Sequence, residues 1–383
     1  MKSISRILIL FWIAISFTSC DEKFSDPDLS GIPSDLLAAV NPAIPETEVN
    51  TSIPNPHFSA VTGDNIVNID LTGIQHPISK EWLRLSGTTL TDQNVWVTVD
   101  GQPKGILVQN LAAENRGTRA PLELMCDLVF LIDNSASMTE ESDVVATQLA
   151  AWAGRLATQG LDMQFACVGY DGFGINGAME LTSAEGISDY LNRAGRVGRE
   201  RSKGFEGKEA TIYAAIAELS KNTVNHECGV KALELAANNF NFRYGANVIY
   251  VNLTDEPNQP EGDAKFSVEI TDSGFWKSNR GTIHTVYSDA DINFTEIQYH
   301  VEKPWRMSGY TGGTEMFANP TYTNITLDDF PITGAMANSY RISFRNTSDI
   351  ADGAHNVAIT IMSADQAVKT TKVYGNVAFG SGN

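Results

Sequence analysis

The 383-residue chain is poor in cysteine. It has four, Cys20, Cys126, Cys167 and Cys228, too few for a disulfide-stapled scaffold and spaced like no zinc pattern. It is also poor in basic charge: 27 Lys and Arg face 46 Asp and Glu, a formal charge of −19. So acidic a body repels phosphate backbones, which makes nucleic acid a poor partner. Past the N-terminus no apolar run approaches the ~20 residues that a membrane-spanning helix needs. The histidines (His57, His76, His226, His284, His300 and His355) are scattered. There is no HExxH and no GxSxG elbow. With no positioned base or nucleophile in evidence, an enzyme is not expected.

What is present begins with a processing segment. "MKSISR" supplies Lys2 and Arg6, "ILILFWIAISF" an apolar core too short to span a bilayer, and "TSC" small residues before Cys20. The "FTSC" ending resembles a bacterial lipoprotein signal, with Phe17 where Leu is usual. The resemblance implies cleavage after residue 19 and lipidation of Cys20. The "DEK" that follows resembles the acidic export tags of surface lipoproteins in Bacteroidetes-type bacteria. Loss of Lys2 and Arg6 with the leader takes the formal charge from −19 to −21. The expected location is therefore the cell envelope, as an outer-membrane lipoprotein exposed at the surface and held to membrane by lipid alone. In enterobacteria an Asp after the cysteine would instead imply the inner membrane. Residues 20–56, rich in Asp, Ser and Pro, read as a flexible tether.

Hydrophobic periodicity divides the remainder. "NIVNIDL", "NVWVTVDG" and "GILVQNL" before residue 123, and "YRISFRN", "HNVAITIMS" and "AVKTTKVYG" after residue 333, alternate apolar and polar side chains as strands do. Neither flank has enough strands for a sandwich, and together they do. Residues 57–123 plus 333–383 are therefore expected to form one β-sandwich with residues 124–332 inserted into it. The insert alternates strands and helices. "CDLVFLI" and "NVIYVNL" are continuous apolar runs, as expected of strands covered on both faces. "TEESDVVATQLAAWAGRLATQ" places Val145, Leu149, Trp152 and Leu156 on one helical face. The expected fold class is α/β, with a doubly wound, mostly parallel sheet. Cys126 and Cys167 fall in two apparent strands, and either a disulfide or two buried free thiols fits.

Open parallel sheets bind ligands beyond the carboxyl ends of their strands, and two such ends here are acidic. "VFLIDNSAS" ends in Asp133, Ser135 and Ser137, and "VIYVNLTDEP" in Thr254, Asp255 and Glu256. Two carboxylates with two hydroxyls form an all-oxygen set that suits Mg²⁺ or Ca²⁺, with Mn²⁺ a further candidate, and not zinc. "DNSAS" together with the Asp of "LTDEP" resembles the metal-ion-dependent adhesion site of von Willebrand factor A domains. The resemblance covers roughly residues 124–332 and includes "FRYGANVIYVNLTDE" and "YTGGTEMFA". It implies that Asp133, Ser135, Ser137 and Asp255 hold a divalent cation, and that the domain binds a protein or other surface ligand. The family's third-loop Thr has two candidate positions here: Glu227 in "NHECG", and Thr211 opening "TIYAAIAEL". A third carboxylate would bind metal more tightly, favour Ca²⁺, and weaken capture of acidic ligands.

Other motifs carry less. "GFGING" spells a dinucleotide fingerprint but leads into "AMELTS", a short strand, and reads as a turn. "KGFEGKEAT" lacks the spacing of a phosphate loop. The basic stretch around Arg193, Arg196, Arg199 and Arg201 is a candidate partner contact, or a loop neutralised by the protein's own carboxylates. Trp96, Trp152, Trp276 and Trp305 read as packing residues. The expectation for function is a cation-dependent adhesion or interaction module. Its alternative is a metal-stabilised scaffold lipoprotein of the envelope.

Overall fold

The computed structural model describes residues 53–61, 66–87, 93–111, 125–139, 141–157, 162–345 and 353–378. Cys20, the leader and most of the expected tether lie outside the described residues.

Five strands precede the insert: β1 (His57–Val61), β2 (Ile66–Leu71), β3 (Val95–Val99), β4 (Gln102–Lys104) and β5 (Leu107–Asn110). The insert opens with β6 (Met125–Asp133), α1 (Ser142–Ala157), β7 (Asp162–Asp171), β8 (Gly174–Thr182), α2 (Ala184–Leu191), β9 (Gly204–Glu206), α3 (Ala210–Leu219) and α4 (Gly229–Asn239). It continues with β10 (Asn247–Thr254), α5 (Gly274–Asn279), β11 (Thr282–Tyr287), α6 (Arg306–Thr311), β12 (Glu315–Phe317) and α7 (Ile332–Ala337). The chain returns through β13 (Tyr340–Arg345), β14 (Ala354–Met362) and β15 (Lys369–Ala378).

The insert forms a seven-stranded sheet in the order β12-β11-β10-β6-β7-β8-β9. Every pairing in it is parallel except β7 with β8. The α/β class expected from the alternating pattern is what the chain adopts. β6 is buried along nearly its whole length, as its unbroken apolar run requires. The four apolar positions of α1 are all buried. Trp152 lies 6.1 Å from the ring of Phe130 and 5.9 Å from that of Phe330, which ties the helix to β6 and to the segment before α7. Gly172 and Phe173 of "GFGING" make the tight turn between antiparallel β7 and β8, and the rest of the motif opens β8.

The flanks supply two antiparallel sheets, β1-β2-β13-β5 and β15-β14-β3-β4. Each contains strands from both sides of the insert, and the inward residues of both form one core that includes Ile69, Val97, Ile342, Ile359 and Tyr374. A sandwich built this way brings the two ends of the insert together, so its orientation is fixed at both.

Two expectations need correction or resolution. The segment 53–56, read as the end of a free tether, is buried and pinned between the two halves. Asn55 donates its backbone N–H to the carbonyl of Thr311 (3.0 Å) and its side-chain amide to that of Gly281 (2.9 Å). From the sandwich, Lys372 Nζ donates to the carbonyl of Ile53 (2.7 Å) and the Tyr374 hydroxyl to that of Pro54 (3.3 Å). The apolar residues Ile53, Pro54 and Pro56 carried the signal for burial, hidden in a polar composition. The cysteine question resolves against a disulfide. Cys126 stands opposite Met163, and Cys167 opposite Phe130. The two are four residues out of register on adjacent strands, roughly 13 Å apart at 3.3 Å per residue, beyond the reach of a disulfide. Both thiols are free and buried, as is Cys228.

Trp152→Ala removes the largest side chain of the α1 face. Denaturant unfolding is expected to show a loss of about 3–5 kcal/mol with an unchanged slope. A loss under 1 kcal/mol would contradict the packing described.

Candidate metal centre at the strand ends

The chain leaves β6 to one side, through β7 and β8, and later returns to pair β10 on the other side. The crevice of a doubly wound sheet opens at such a reversal. Asp133 ends β6 and Asp255 follows β10, so both stand at this point.

Hydrogen bonds join them. Asp133 is fully buried. One carboxylate oxygen accepts the backbone N–H of Ser135 (2.9 Å), the other the hydroxyl of Thr254 (2.8 Å). Ser135 Oγ and Ser137 Oγ are 2.8 Å apart, and Ser137 Oγ donates to Asp255 Oδ1 (3.2 Å). Ser137 is exposed, so the set runs from a buried floor to the surface. Four of the sequence-predicted residues, Asp133, Ser135, Ser137 and Asp255, therefore come together.

The loop behind them is braced. The Asn134 side chain donates to Asn176 Oδ1 (2.8 Å) and Ser202 Oγ (2.9 Å) and accepts from Asn176 Nδ2 (2.7 Å). A Cβ on Gly169 would stand 2.7 Å from Asn134 Nδ2 and 2.4 Å from the Ser202 carbonyl, so this approach requires glycine. On the other side, the buried Glu302 carboxylate accepts from Ser267 Oγ (2.7 Å), the Val268 N–H (2.9 Å), Asn258 Nδ2 (3.1 Å) and the Tyr299 N–H (3.1 Å). Asn258 in turn accepts from the N–H of Val230 at the start of α4 (3.3 Å), and Gln259 donates its N–H to the carbonyl of Glu227 (2.8 Å). The loop after β10 is thereby locked to the loop that carries Glu227.

The two third-loop candidates part here. Thr211 is exposed on the first turn of α3, a helix that packs on β8 and β9 towards the sheet's edge, and does not join the set. Glu227 is nearly buried and shares a crevice with Tyr170, Asn252, Thr254 and Glu256. Among the described residues no three His, Cys, Asp or Glu side chains stand close enough to share one ion. Glu227 thus borders the two-carboxylate, two-hydroxyl set and is not gathered into it. Gly172 permits this position, since a Cβ there would lie 3.0 Å from Glu227 Oε1.

The basic stretch is mostly spent internally. Arg193 pairs with Glu206 (2.5 Å) and lies over the Tyr190 ring, and Arg201 pairs with Asp143 (2.6 Å). Arg196 and Lys203 both reach Glu200, and Arg199 adds its charge beside the same carboxylate. The stretch braces α1 and α2 against β9 and offers little free charge to a partner.

Two acids went unassigned in the sequence. Glu256, beside Asp255, is pushed up to about 7 by burial and then by Asp255, Glu227 and Asp289. Asp289 follows the third strand end, β11, and its "SDAD" repeats the signal of an acid after a buried run. Burial, then Asp255, raises Asp133 to about 8. Burial also raises Asp255 and Glu227. Among the described residues no Lys or Arg forms an ion pair with Asp133, Asp255, Glu256 or Glu227. Buried like charges without a counter-ion are costly. An oxygen donor set that converges under such a deficit fits a divalent cation, which Asp133, Ser135, Ser137 and Asp255 would hold.

No family model and no curated protein matches the chain. Among solved structures it is similar to an aerotolerance-related membrane protein of Bacteroides fragilis (11% identity over 52% of this chain and 94% of that one, TM-score 0.31). It is similar to manganese-loaded TRAP of Plasmodium vivax (10%, 71% and 97%, 0.31). It is also similar to proximal thread matrix protein 1 of the mussel byssus, solved with zinc in its MIDAS motif (15%, 62% and 49%, 0.32). The chain thus spans about half of the mussel protein. With TM-scores this low, the fold is read from the strand order itself.

Folding favours the protonated form of Asp133. That contribution is complete below the unfolded pKa of ~4 and is lost as pH rises through about 8. In EDTA, the stability difference between wild type and Asp133→Asn is expected to move against wild type from pH 4 to 8. Saturating Mg²⁺ or Ca²⁺ is expected to offset the loss in wild type alone. A difference that stays flat with pH would remove the buried carboxylate pair.

Proposed function

We propose that this chain is a divalent-cation-dependent adhesion or protein-interaction module of the bacterial cell envelope. It would be anchored through a lipid on Cys20 and displayed at the outer surface. The observation that carries the reading is the oxygen set that rises from buried Asp133 through Ser135 to exposed Ser137, which donates to buried Asp255. A bound cation would offset the two carboxylates and offer a coordination position to an oxygen of the partner. The chain's own part is to hold these oxygens convergent, through Thr254 beneath Asp133 and Asn134 behind the loop.

Full burial of Asp133 also favours a second reading, in which the cation stabilises an envelope scaffold that captures no external ligand. Ser137, open to solvent, is the reason to prefer adhesion.

Calorimetry on the lipid-free protein is expected to show one divalent ion bound, with Asp133→Ala abolishing it. Glu227→Thr, which removes a carboxylate that borders the set without joining it, is expected to change Ca²⁺ and Mg²⁺ affinity alike and far less than Asp133→Ala does. In the adhesive reading Asp133→Ala keeps the fold and loses surface binding. In the scaffold reading chelation lowers Tm steeply, and binding is lost only with the fold. Binding of neither ion would end both readings.

A further inference from the structure

The strand ends carry more than the acidic set. Eleven large apolar side chains among the described residues are at least 36% exposed, and six of them gather at this one end of the sheet. Phe173 sits in the β7–β8 turn. Leu219 and Val224 flank the stretch that packs on that turn, where Asn222 donates its N–H to the carbonyl of Phe173 (3.2 Å). Ile292 and Ile297 lie in the loop after β11, and Phe317 ends β12 beside Tyr287. Phe294 and Trp305 support this second patch: Trp305 lies 4.8 Å from the ring of Tyr287, 5.8 Å from Phe294 and 5.2 Å from Phe317.

Two apolar shoulders thus flank an acidic trough. The trough lies over fully buried Asp133 and carries Asp255, Glu227, Glu256 and exposed Asp289, whose charges act on one another. The cations at this end are largely engaged. Lys221 pairs with Glu218, and Arg306 with Glu296 and Glu269. Lys303 lies over the rings of Phe294 and Trp305. A divalent ion balances two carboxylates, and the rim stays negative. Exposed apolar side chains clustered at one face mark an interaction surface, and the sign of the rim selects the partner.

We infer that this end of the sheet is a docking surface for a polypeptide segment that is both basic and apolar, its apolar side chains on the Phe173 and Ile292 shoulders and its Lys or Arg side chains over the trough. The inference deepens the proposed interaction function and gives its partner a chemistry. An acidic segment is disfavoured by Glu227, Glu256 and Asp289 even with the ion in place.

The test uses three labelled twelve-residue peptides: alternating Lys and Leu, alternating Lys and Ser, and alternating Glu and Leu. Fluorescence anisotropy is read with Mg²⁺ or Ca²⁺ present. The Lys/Leu peptide is expected to bind at least ten-fold tighter than either other. Phe173→Ser and the pair Ile292→Ser with Ile297→Ser are each expected to weaken it several-fold. The control pair Ile78→Ser and Val373→Ser, exposed on the sandwich, is expected to leave it unchanged. Tighter binding of Glu/Leu, equal binding of Lys/Ser, or an equal loss in the control overturns the inference. Loss of metal binding in calorimetry with Lys/Leu binding intact would instead sink the cation reading and leave this surface standing.

Discussion

Everything at the business end of this molecule depends on one electrostatic constraint. Asp133 and Asp255 come from strands more than a hundred residues apart, and the fold brings them together in a buried place where, among the described residues, neither has a Lys or Arg partner. Such a pair is unfavourable alone. It becomes favourable only when a proton or a cation supplies the missing charge. Burial, then the charge of Asp255, raises Asp133 to about 8, so in the bare chain a proton is held well above the ordinary carboxylate range. A divalent ion would do the same work and leave Ser135 and Ser137 with an electrophile to coordinate.

The rest of the structure reads as support for that pairing. The reversal of strand order between β6 and β10 sets the crevice. Asn134 and Glu302, neither of them in the oxygen set, lock the loops on either side. The segment 53–56 wedges the insert against the sandwich at the opposite end of β11, where Asn55 reaches Thr282 and Gly281. Ile53 therefore sits where the two halves meet. The oxygen set stands at the far end of the sheet, away from that junction.

Much of this was legible in the sequence where local pattern and tertiary outcome agree. The unbroken apolar run of β6 followed at once by Asp133, Ser135 and Ser137 predicted both a strand covered on two faces and an acidic strand end. The 3.6-residue spacing of Val145, Leu149, Trp152 and Leu156 predicted the buried face of α1. Long-range register was not legible. Cys126 and Cys167 lie on neighbouring strands, but nothing local says that they are four residues out of step. Loop order favours Glu227 over Thr211 only modestly, and the packing of α3 on β8 and β9 separates them. The arginines at 193–201 read as either a partner contact or a loop neutralised internally, and only the structure decides for the second, because the carboxylate partners Glu206 and Asp143 are distant or on another element. Asp289 carries a readable signal, an acid directly after the buried run of β11.

The most direct test of the central claim is diffraction from crystals grown with Mn²⁺, with anomalous data collected on the metal. The account expects a single strong peak in contact with the side chains of Ser135, Ser137 and Asp255, above Asp133, and no such peak in Asp133→Ala crystals grown alike. A wild-type map with no peak there, or with the ion elsewhere, would contradict it.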